Sequence, residues 1–365
     1  TTLLTRYAYD PLEELLSVTD AKGNVTSAQY DTLGRTIALS SPDAGLTTYS
    51  FDLSGNLAAR QTAKLRAQTQ SIRYEYDFNR LRQITYPTSK PVKYFYGAHD
   101  DILNRAGRIK EEDSEAGIKT YEYDALGNVN VQRWTLNSIA HDKTYDQSIG
   151  YDYDAFGRLL QVHFPDGEVV SYAYDAGGNV ESAASNATSY VNHVGYDEFE
   201  QRTRLISGNG IQTKYTYDLL TRRLSEINAS TTARQFQEMR YKYDPVGNID
   251  QIQNLAPYDD SMKGQVLVGP MTQNFAYDDL YQLRTADGLY QESSKQQYNY
   301  GLSLTYDAIG NILQKQQISN AIALNNGGKV SPQQGQTYSS SYQYTGPRPH
   351  APTEVDETPL SPNKP

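Results

Sequence analysis

Short runs of alternating apolar and polar residues fill most of this chain, and turn residues separate them at nearly regular intervals. In the run VVSYAY at residues 169–174, Tyr172 and Tyr174 face one side of an extended strand while Ala173 faces the other. The preceding run, RLLQVHF, ends at residues 165–167, Pro-Asp-Gly, which is a tight-turn signal. The pattern predicts β-hairpins of two short strands. A lone hairpin is marginally stable in water, so neighbouring hairpins must pair into one continuous sheet.

The motif Tyr-x-Tyr-Asp-x-x-Gly-Asn/Arg, or part of it, recurs along almost the whole chain, and Asp10, Asp31 and Asp52 are spaced by 21 residues. A fixed period of this length indicates a repeat architecture. The aspartate can accept a hydrogen bond from the backbone two residues on and open a turn, and the glycine can take a positive φ and close it. We expect a structural role for the signature residues, which are Tyr9, Asp10, Tyr30, Asp31, Gly34, Asp52, Gly55, Tyr76, Asp77, Tyr123, Asp124, Gly127, Tyr153, Asp154, Gly157, Tyr174, Asp175, Gly178, Tyr217, Asp218, Tyr243, Asp244, Gly247, Tyr306, Asp307 and Gly310.

These repeats predict an all-β fold, an array of β-hairpins forming a long, coiled antiparallel sheet over residues 1–318. The period is interrupted near 58–73, 255–274 and 285–302. The first insertion has possible helical spacing but is more simply a surface loop, and the other two are expected to be loops. Residues 319–345 are predicted to be a flexible connection with a last degenerate repeat, and the proline-rich residues 346–365 a disordered or extended tail. Rings repeated at each hairpin are expected to stack into ladders.

Composition supports a thin sheet. The chain has 32 Tyr, 8 Phe and 1 Trp, and its mean hydropathy of −0.69 is low for a globule with one thick core. The net charge of −10 disfavours nucleic-acid binding, which needs a basic face. No run of apolar residues is long enough for a membrane helix, and no signal peptide is visible. With no initiator methionine and a repeat within the first ten residues, the sequence is interpreted as a segment of a longer chain.

Candidate chemistry is sparse. Cysteine is absent, and no histidine has metal-ligand spacing to another. His163 lies within a predicted strand, and the paired acids at 100–101, 259–260 and 278–279 each fall at a predicted turn. We therefore expect no catalytic residue, no metal site and no cofactor, and we interpret these acids as solvated turn residues.

The repeats resemble the YD-repeat or Rhs-repeat family of bacterial polymorphic toxins and insecticidal toxin complexes, with animal teneurins as distant relatives. The resemblance covers residues 5–351 and includes the turn at residues 164–167 and the segment GPRPHA at 346–351. It implies a sheet that spirals into a hollow shell around a C-terminal toxin domain.

One segment imitates the self-cleaving core of that family. Asp244, Pro245 and Gly247 match its Asp-Pro-x-Gly element. Asn248, however, follows where the family core has an apolar residue, and Met239 stands at the place of its upstream proline. The four residues are also in register with the repeat turn, so the aspartyl autoprotease of the family is not carried over.

Two functions follow as hypotheses. The first is a non-catalytic wall segment of a toxin exported from a bacterium, whose partners would be its own C-terminal cargo, neighbouring shell segments and a delivery apparatus. The alternative is a cell-surface or carbohydrate-binding adhesion module. Tyrosines outside the repeat phase, such as Tyr145, Tyr258, Tyr281 and Tyr290, would form a ligand site only if clustered, and they are spread along the chain. An enzyme is the least favoured class, because the chain lacks nucleophile, nucleotide and metal motifs.

Overall fold

Strands account for nearly all regular structure in this protein. The computed structural model describes residues 3–138, 143–257, 269–325, 327–333 and 336–359. Across these ranges it has 29 strands and one short helix. The chain divides into two units, residues 1–188 and 189–365.

The first unit is an antiparallel meander in which each strand pairs with the next along the chain. Its strands are β1 Arg6–Tyr9, β2 Leu15–Thr19, β3 Val25–Tyr30, β4 Thr36–Ser41, β5 Gly45–Phe51, β6 Leu57–Gln61, β7 Ile72–Asp77, β8 Arg80–Thr85, β9 Val92–Tyr96, β10 Ile109–Ser114, β11 Gly117–Tyr123, β12 Val129–Ser138, β13 Lys143–Tyr153, β14 Leu159–His163, β15 Val169–Tyr174 and β16 Val180–Ser185. The helix, α1, spans Ala63–Ala67 between β6 and β7, and the Thr62 hydroxyl caps it by accepting from the Leu65 N–H.

The second unit repeats the meander and ends on a branched arrangement. Its strands are β17 Ser189–Tyr196, β18 Arg202–Ser207, β19 Gln212–Tyr217, β20 Leu224–Ser230, β21 Gln235–Tyr243, β22 Ile249–Asn254, β23 Met271–Tyr277, β24 Leu283–Gln291, β25 Gln296–Tyr306, β26 Ile312–Ala323, β27 Lys329–Pro332, β28 Tyr338–Gln343 and β29 Glu354–Pro359. The long strand β26 pairs with β27 over its last four residues and with β28 over Gln314–Gln317, and β28 then pairs with β29.

A register shift precedes the signature tyrosine in the repeat hairpins. In β15, Ala173 pairs with Ser182 but Tyr174 pairs with Val180, so one residue of the partner strand is left over. The same shift occurs before Tyr9, Tyr123, Tyr153 and Tyr243. Such a bulge bends the strand locally and re-aims the side chain beside it. It therefore sets the direction in which each signature tyrosine points.

The sheets have little interior. Among the described residues, the buried apolar side chains are Val162, Val170, Val194, Ala256, Ala286 and Leu304, and no large side chain is completely buried. A sheet with a second layer packed on it would bury a whole face of alternating residues. Most side chains here are only half-buried, so the strands must be held largely by hydrogen bonds and by contacts along the sheet.

The all-β antiparallel fold expected from the sequence is confirmed. The loop predicted at 285–302 is wrong, because most of it belongs to β24 and β25, which pair in register from Thr285–Ser303 to Gln291–Gln297. These strands are longer than most of the others, so the regular spacing of the motif stops there and the sequence indicates a loop. The insertion at 58–73 holds the end of β6 and α1 rather than a loop alone.

The C-terminal expectations also need correction. Residues 319–345 contain the end of β26, β27 and β28 instead of a flexible connection, and the presumed tail contributes β29. Pairing with a neighbouring strand overrides the poor strand propensity of these polar residues. Residues 258–268 and 360–365, parts of the predicted insertion and tail, lie outside the described residues. Within the described ranges, no helix has the length and apolarity needed to cross a bilayer.

The repeat turn and the tyrosine clasp

Each repeat turn is built around one aspartate carboxylate. At Asp124, the backbone N–H donates to the carbonyl of Asn128 at 2.9 Å and closes the turn. Its Oδ1 accepts from the N–H groups of Leu126 and Asn128 at 2.8 and 2.9 Å, and its Oδ2 accepts from the Asn128 side-chain amide at 2.9 Å. Gly127 takes a φ of 93°, a backbone conformation that is unfavourable for any residue with a Cβ atom. The Asp-x-x-Gly-Asn motif thus specifies the turn completely.

The same turn recurs throughout both units. Oδ1 accepts at least one backbone N–H from two to four residues further on at Asp10, Asp31, Asp52, Asp154, Asp175, Asp197, Asp218, Asp244, Asp278 and Asp307. Asp77 departs from it, since it lies in a tighter connection and forms an ion pair with Arg80. The Asp-Pro-x-Gly segment is one of these turns, with Asp244 accepting from the N–H groups of Gly247 and Asn248.

Where the motif ends in arginine, that side chain has two contacts. The Nε atoms of Arg35 and Arg158 each donate to Oδ2 of the turn aspartate at 2.7 Å. Their guanidinium groups also lie over the aromatic ring of the following repeat, 4.5 Å from the centroid of Phe51 and 4.7 Å from that of Tyr174. A cation over a ring face is favourable. The arginine therefore links its own turn to the next repeat.

The turn carboxylates are held ionised. A hydrogen bond from Arg35 lowers the pKa of Asp31, and the side-chain amides of Asn56 and Asn128 do the same for Asp52 and Asp124. These donors stabilise the charged form because they hydrogen-bond to it. The shifts have a structural cause and need no catalytic role.

The signature tyrosine reaches back to the preceding repeat. The Tyr174 hydroxyl donates at 2.7 Å to the carbonyl of Leu159, the first residue of β14, directly after the turn of the previous repeat. We call this bond the tyrosine clasp. Further clasps join Tyr30 to Leu15, Tyr96 to Leu81, Tyr123 to Ile109, Tyr153 to Val129, Tyr217 to Arg202, Tyr243 to Leu224, Tyr277 to Ile249, Tyr306 to Leu283 and Tyr344 to Ile312.

Burial favours the protonated hydroxyl at several of the clasps. Desolvation raises the pKa of Tyr123, Tyr153 and Tyr243 above the usual tyrosine value, so the hydroxyl remains a donor. The expectation of ring ladders along the hairpins is wrong: the close ring pair seen in the repeats, Tyr151 with Tyr153, lies on a single strand with its centroids 6.5 Å apart. Successive repeats are instead linked by hydroxyl-to-carbonyl bonds and by arginines over rings.

Side-chain amides at the end of the turn add a further link. The Asn56 side-chain amide donates to the backbone carbonyl of Phe78 in the next turn at 3.1 Å. The Gln201 side-chain amide donates to the backbone carbonyl of Arg222 at 2.9 Å. Asn311 donates to Pro349 at 2.8 Å. The segment GPRPHA therefore occupies the place of a repeat turn, between β28 and β29, and Tyr344 is its clasp residue.

Sequence reasoning missed two copies of the turn. Asp101 accepts from the N–H of Leu103 at 3.1 Å and from Nε of Arg105 at 2.8 Å, and Asn104 has the positive φ usually taken by glycine. Asp20 accepts from the backbone N–H groups of Lys22 and Asn24, both at 2.9 Å, in a turn at the opposite ends of the strands. Both carry a readable signal, Asp-x-x-Asn-Arg and Asp-x-x-Gly-Asn, and both lack a tyrosine before the aspartate.

The remaining candidate residues that the structure describes are spread over strands and turns. A ring nitrogen of His163 lies 2.7 Å from the Asp152 carboxylate across β13 and β14, and both side chains are exposed. His141, Asp259 and Asp260 lie outside the described residues. Where side chains are described, no three of His, Asp and Glu are arranged to hold a metal ion.

Comparison with known proteins agrees with the repeat geometry. The family model "RHS Repeat" matches residues 153–189. Toxin subunit YenC1 of Yersinia entomophaga is 31% identical over 194 residues, 46% of this chain and 20% of the relative. Toxin subunit YenC2 of the same organism is 25% identical over 356 residues, which are 81% of this chain and 36% of that relative. This chain therefore spans about a fifth to a third of the length of these relatives.

A solved structure shows the same fold. The Tc holotoxin pore of Photorhabdus luminescens aligns with a TM-score of 0.78 and 23% identity, over 97% of this chain and 18% of that one. The family resemblance expected from the sequence is confirmed.

Proposed function

Since the chain is an RHS-repeat, or YD-repeat, protein, we propose that it forms part of the wall of a shell that encloses a toxin domain lying C-terminal to it in an exported bacterial protein. In this proposal the segment is structural and not catalytic, and its partners are the enclosed domain, neighbouring shell segments and a delivery apparatus. The toxin relatives support a role within a toxin assembly.

The observation that carries the proposal is the linkage between repeats. The ten tyrosine clasps named above each tie a hairpin to the one before it, while the described part has almost no buried core. A single-layer sheet with cross-linked repeats is suited to separating two spaces, because its stability does not depend on a second layer that would fill one of them.

Limited proteolysis of the complete parent protein, followed by mass spectrometry, tests the proposal. We expect the C-terminal domain to resist protease in the assembled protein and to be digested after unfolding. A variant with three clasp hydroxyls removed, Tyr123→Phe, Tyr153→Phe and Tyr243→Phe, should shorten that protection. Tyr172→Phe, on the same face as Tyr174 but outside the clasps, is the matched control. Immediate digestion of the C-terminal domain in the intact protein would contradict enclosure.

A groove of about 520 Å³ favours the adhesion module as the second candidate. Tyr94 and Tyr96 line it together with Asp77, Arg80 and Lys110. Aromatic faces combined with charged hydrogen-bonding groups are suited to a polar ligand such as a carbohydrate. Binding of the chain to a glycan array, lost in Tyr94→Ala, would support this function, and an array without signal would remove it.

A further inference from the structure

One end of the hairpins in the first unit carries an unexplained row of exposed apolar side chains. All repeat turns lie at the same end of the meander, because each is separated from the next by two antiparallel strands. At the second or third residue of seven of these eight connections a large apolar side chain points into solvent, and the Asp175 turn has Ala176 and Gly177 there. We call the following set the apolar row: Leu12, Leu33, Leu53, Phe78, Ile102, Leu126 and Phe156.

The turn itself does not require apolar residues there. At the opposite strand ends, the Asp20 turn has the same backbone bonds as the Asp31 turn, yet it carries Lys22 at the position of Leu33. Other connections at that end have Glu115 and Asp166 exposed at their tips. The same turn thus has an apolar tip in the Asp31 copy and a charged tip in the Asp20 copy at the other end. The apolar tip residues are therefore explained by a contact outside the turn and not by the folding of the turn itself.

The row is large enough for a protein interface. Leu53 is fully exposed, and Phe156 and Leu33 are 86% and 74% exposed. Seven side chains of on the order of 150 Å² each would bring roughly 900 Å² to a contact, similar to the ~800 Å² that each partner contributes in a standard interface.

The spacing and charge of the row narrow the choice of partner. Its members are two strands apart, about 10 Å, so a second row of the same spacing can place its side chains between them. The carboxylate oxygens of the turn aspartates accept hydrogen bonds from backbone N–H groups within the turn. These charges therefore do not have to be desolvated when the apolar row contacts a partner. A membrane surface is less favoured, since the chain carries a net charge of −10 and cell surfaces are commonly anionic.

We propose that the apolar row is a self-association surface, on which a second copy of this chain places its own row in an isologous, two-fold contact. The proposal goes beyond the wall function and does not depend on an enclosed cargo.

Analytical ultracentrifugation over a concentration series of the chain tests it. We expect reversible dimers with a dissociation constant in the micromolar range or below. The triple variant Leu33→Lys, Leu126→Lys and Phe156→Lys should raise that constant about 100-fold or more, because each change removes an exposed apolar contact and adds a charge. All three side chains are exposed, so circular dichroism and thermal unfolding should match the unmodified chain.

The control is Lys22→Glu, at the equivalent turn position of the opposite end, which should leave the dissociation constant unchanged. A chain that stays monomeric at all concentrations, or a triple variant that associates like the unmodified chain, overturns the proposal. So does flotation of the chain with neutral phosphatidylcholine vesicles that the triple variant loses, since the row would then face lipid.

Discussion

At the scale of single residues, the third residue after the aspartate of a five-residue repeat turn takes a left-handed backbone conformation in copies with glycine and in copies without it. In the longer turn at Asp218 the fourth residue, Arg222, does so. Gly157 and Gly247 have φ values of 78° and 109°, and Glu13, Glu200 and Tyr281 have 65°, 61° and 62° at the same position. A residue with a Cβ is disfavoured there, and glycine is not. The chain therefore contains both optimised and suboptimal copies of one turn.

This contrast predicts opposite effects of two substitutions. Gly157→Ala should lower the free energy of unfolding by about 1–2 kcal/mol, because an added Cβ is strained at this φ although space is available. Glu200→Gly should raise the free energy of unfolding by about 0.5–1 kcal/mol, because it relieves the backbone strain. Glycine also increases the conformational entropy of the unfolded chain, which offsets part of this gain. Urea denaturation of both variants measures the difference, and a shift of the same sign in the two would contradict a backbone origin.

The clasp gives a second prediction at this scale. Tyr174→Phe removes the hydroxyl that donates to the Leu159 carbonyl and should cost about 1 kcal/mol of unfolding free energy. Tyr172→Phe, on the same strand and face, should cost much less. Equal losses in the two variants would mean that the hydroxyl bond contributes nothing specific.

At the scale of elements, turn and clasp give the hairpin two opposite dependences on pH. The folded-state pKa values of Asp31, Asp52 and Asp124 are lowered, so their contribution to stability is present above the unfolded value of about 3.9 and is lost as pH falls through the folded values. The folded-state pKa values of Tyr123, Tyr153 and Tyr243 are raised, so their contribution is present below about 10 and is lost as pH rises through the folded values.

We therefore expect the urea midpoint to be highest between these limits and to fall on both sides. The alkaline fall should coincide with tyrosinate formation seen by ultraviolet absorbance. Asp124→Asn should weaken the acid dependence. A midpoint that does not change from neutral pH down to about 3 would exclude the turn carboxylates as its cause.

The last hairpin, β28–β29, is attached to β26 by strand pairing and by two further bonds near the start of β26. Tyr344 donates to Ile312 and Asn311 donates to Pro349. The double variant Tyr344→Phe and Asn311→Ala should increase the rate of proteolytic cleavage within residues 344–353 several-fold, because local opening becomes easier. Tyr342→Phe serves as control. Unchanged cleavage in the double variant would show that strand pairing alone holds this hairpin.

Much of this element structure could be predicted from the sequence, because turn and strand signals are local. The Tyr-Asp pairs and glycines locate the hairpins, and the alternating residues give the strands. The clasp acceptors could not be predicted, because they are backbone carbonyls of residues as different as Leu159, Arg202 and Ile312. Every residue has such a carbonyl, so the residue type does not identify the acceptor. Strand β29 could not be predicted either, since the connection of residues 344–353 before it is rich in proline and lacks the Tyr-Asp signal.

At the scale of the whole molecule, stability is distributed along the chain and not concentrated in a core. In each unit, hairpins contact mainly their neighbours in sequence, as in other repeat proteins, where terminal repeats open more easily than central ones.

Native-state hydrogen exchange should accordingly follow position within a unit. We expect amides of β1 and β2 to exchange faster than those of β11 and β12, whose repeat has clasps on both sides through Tyr123 and Tyr153. Protection that is uniform across the first unit would indicate one cooperative body instead.

The clasp also has a direction, since every clasp hydroxyl donates to a carbonyl earlier in the chain. A ribosome releases the chain from its N terminus, so each new hairpin emerges when its acceptor strand already exists. No repeat has to wait for a later one before its tyrosine is satisfied. Assembly of the array can therefore proceed vectorially during translation, adding one hairpin at a time in the order of synthesis.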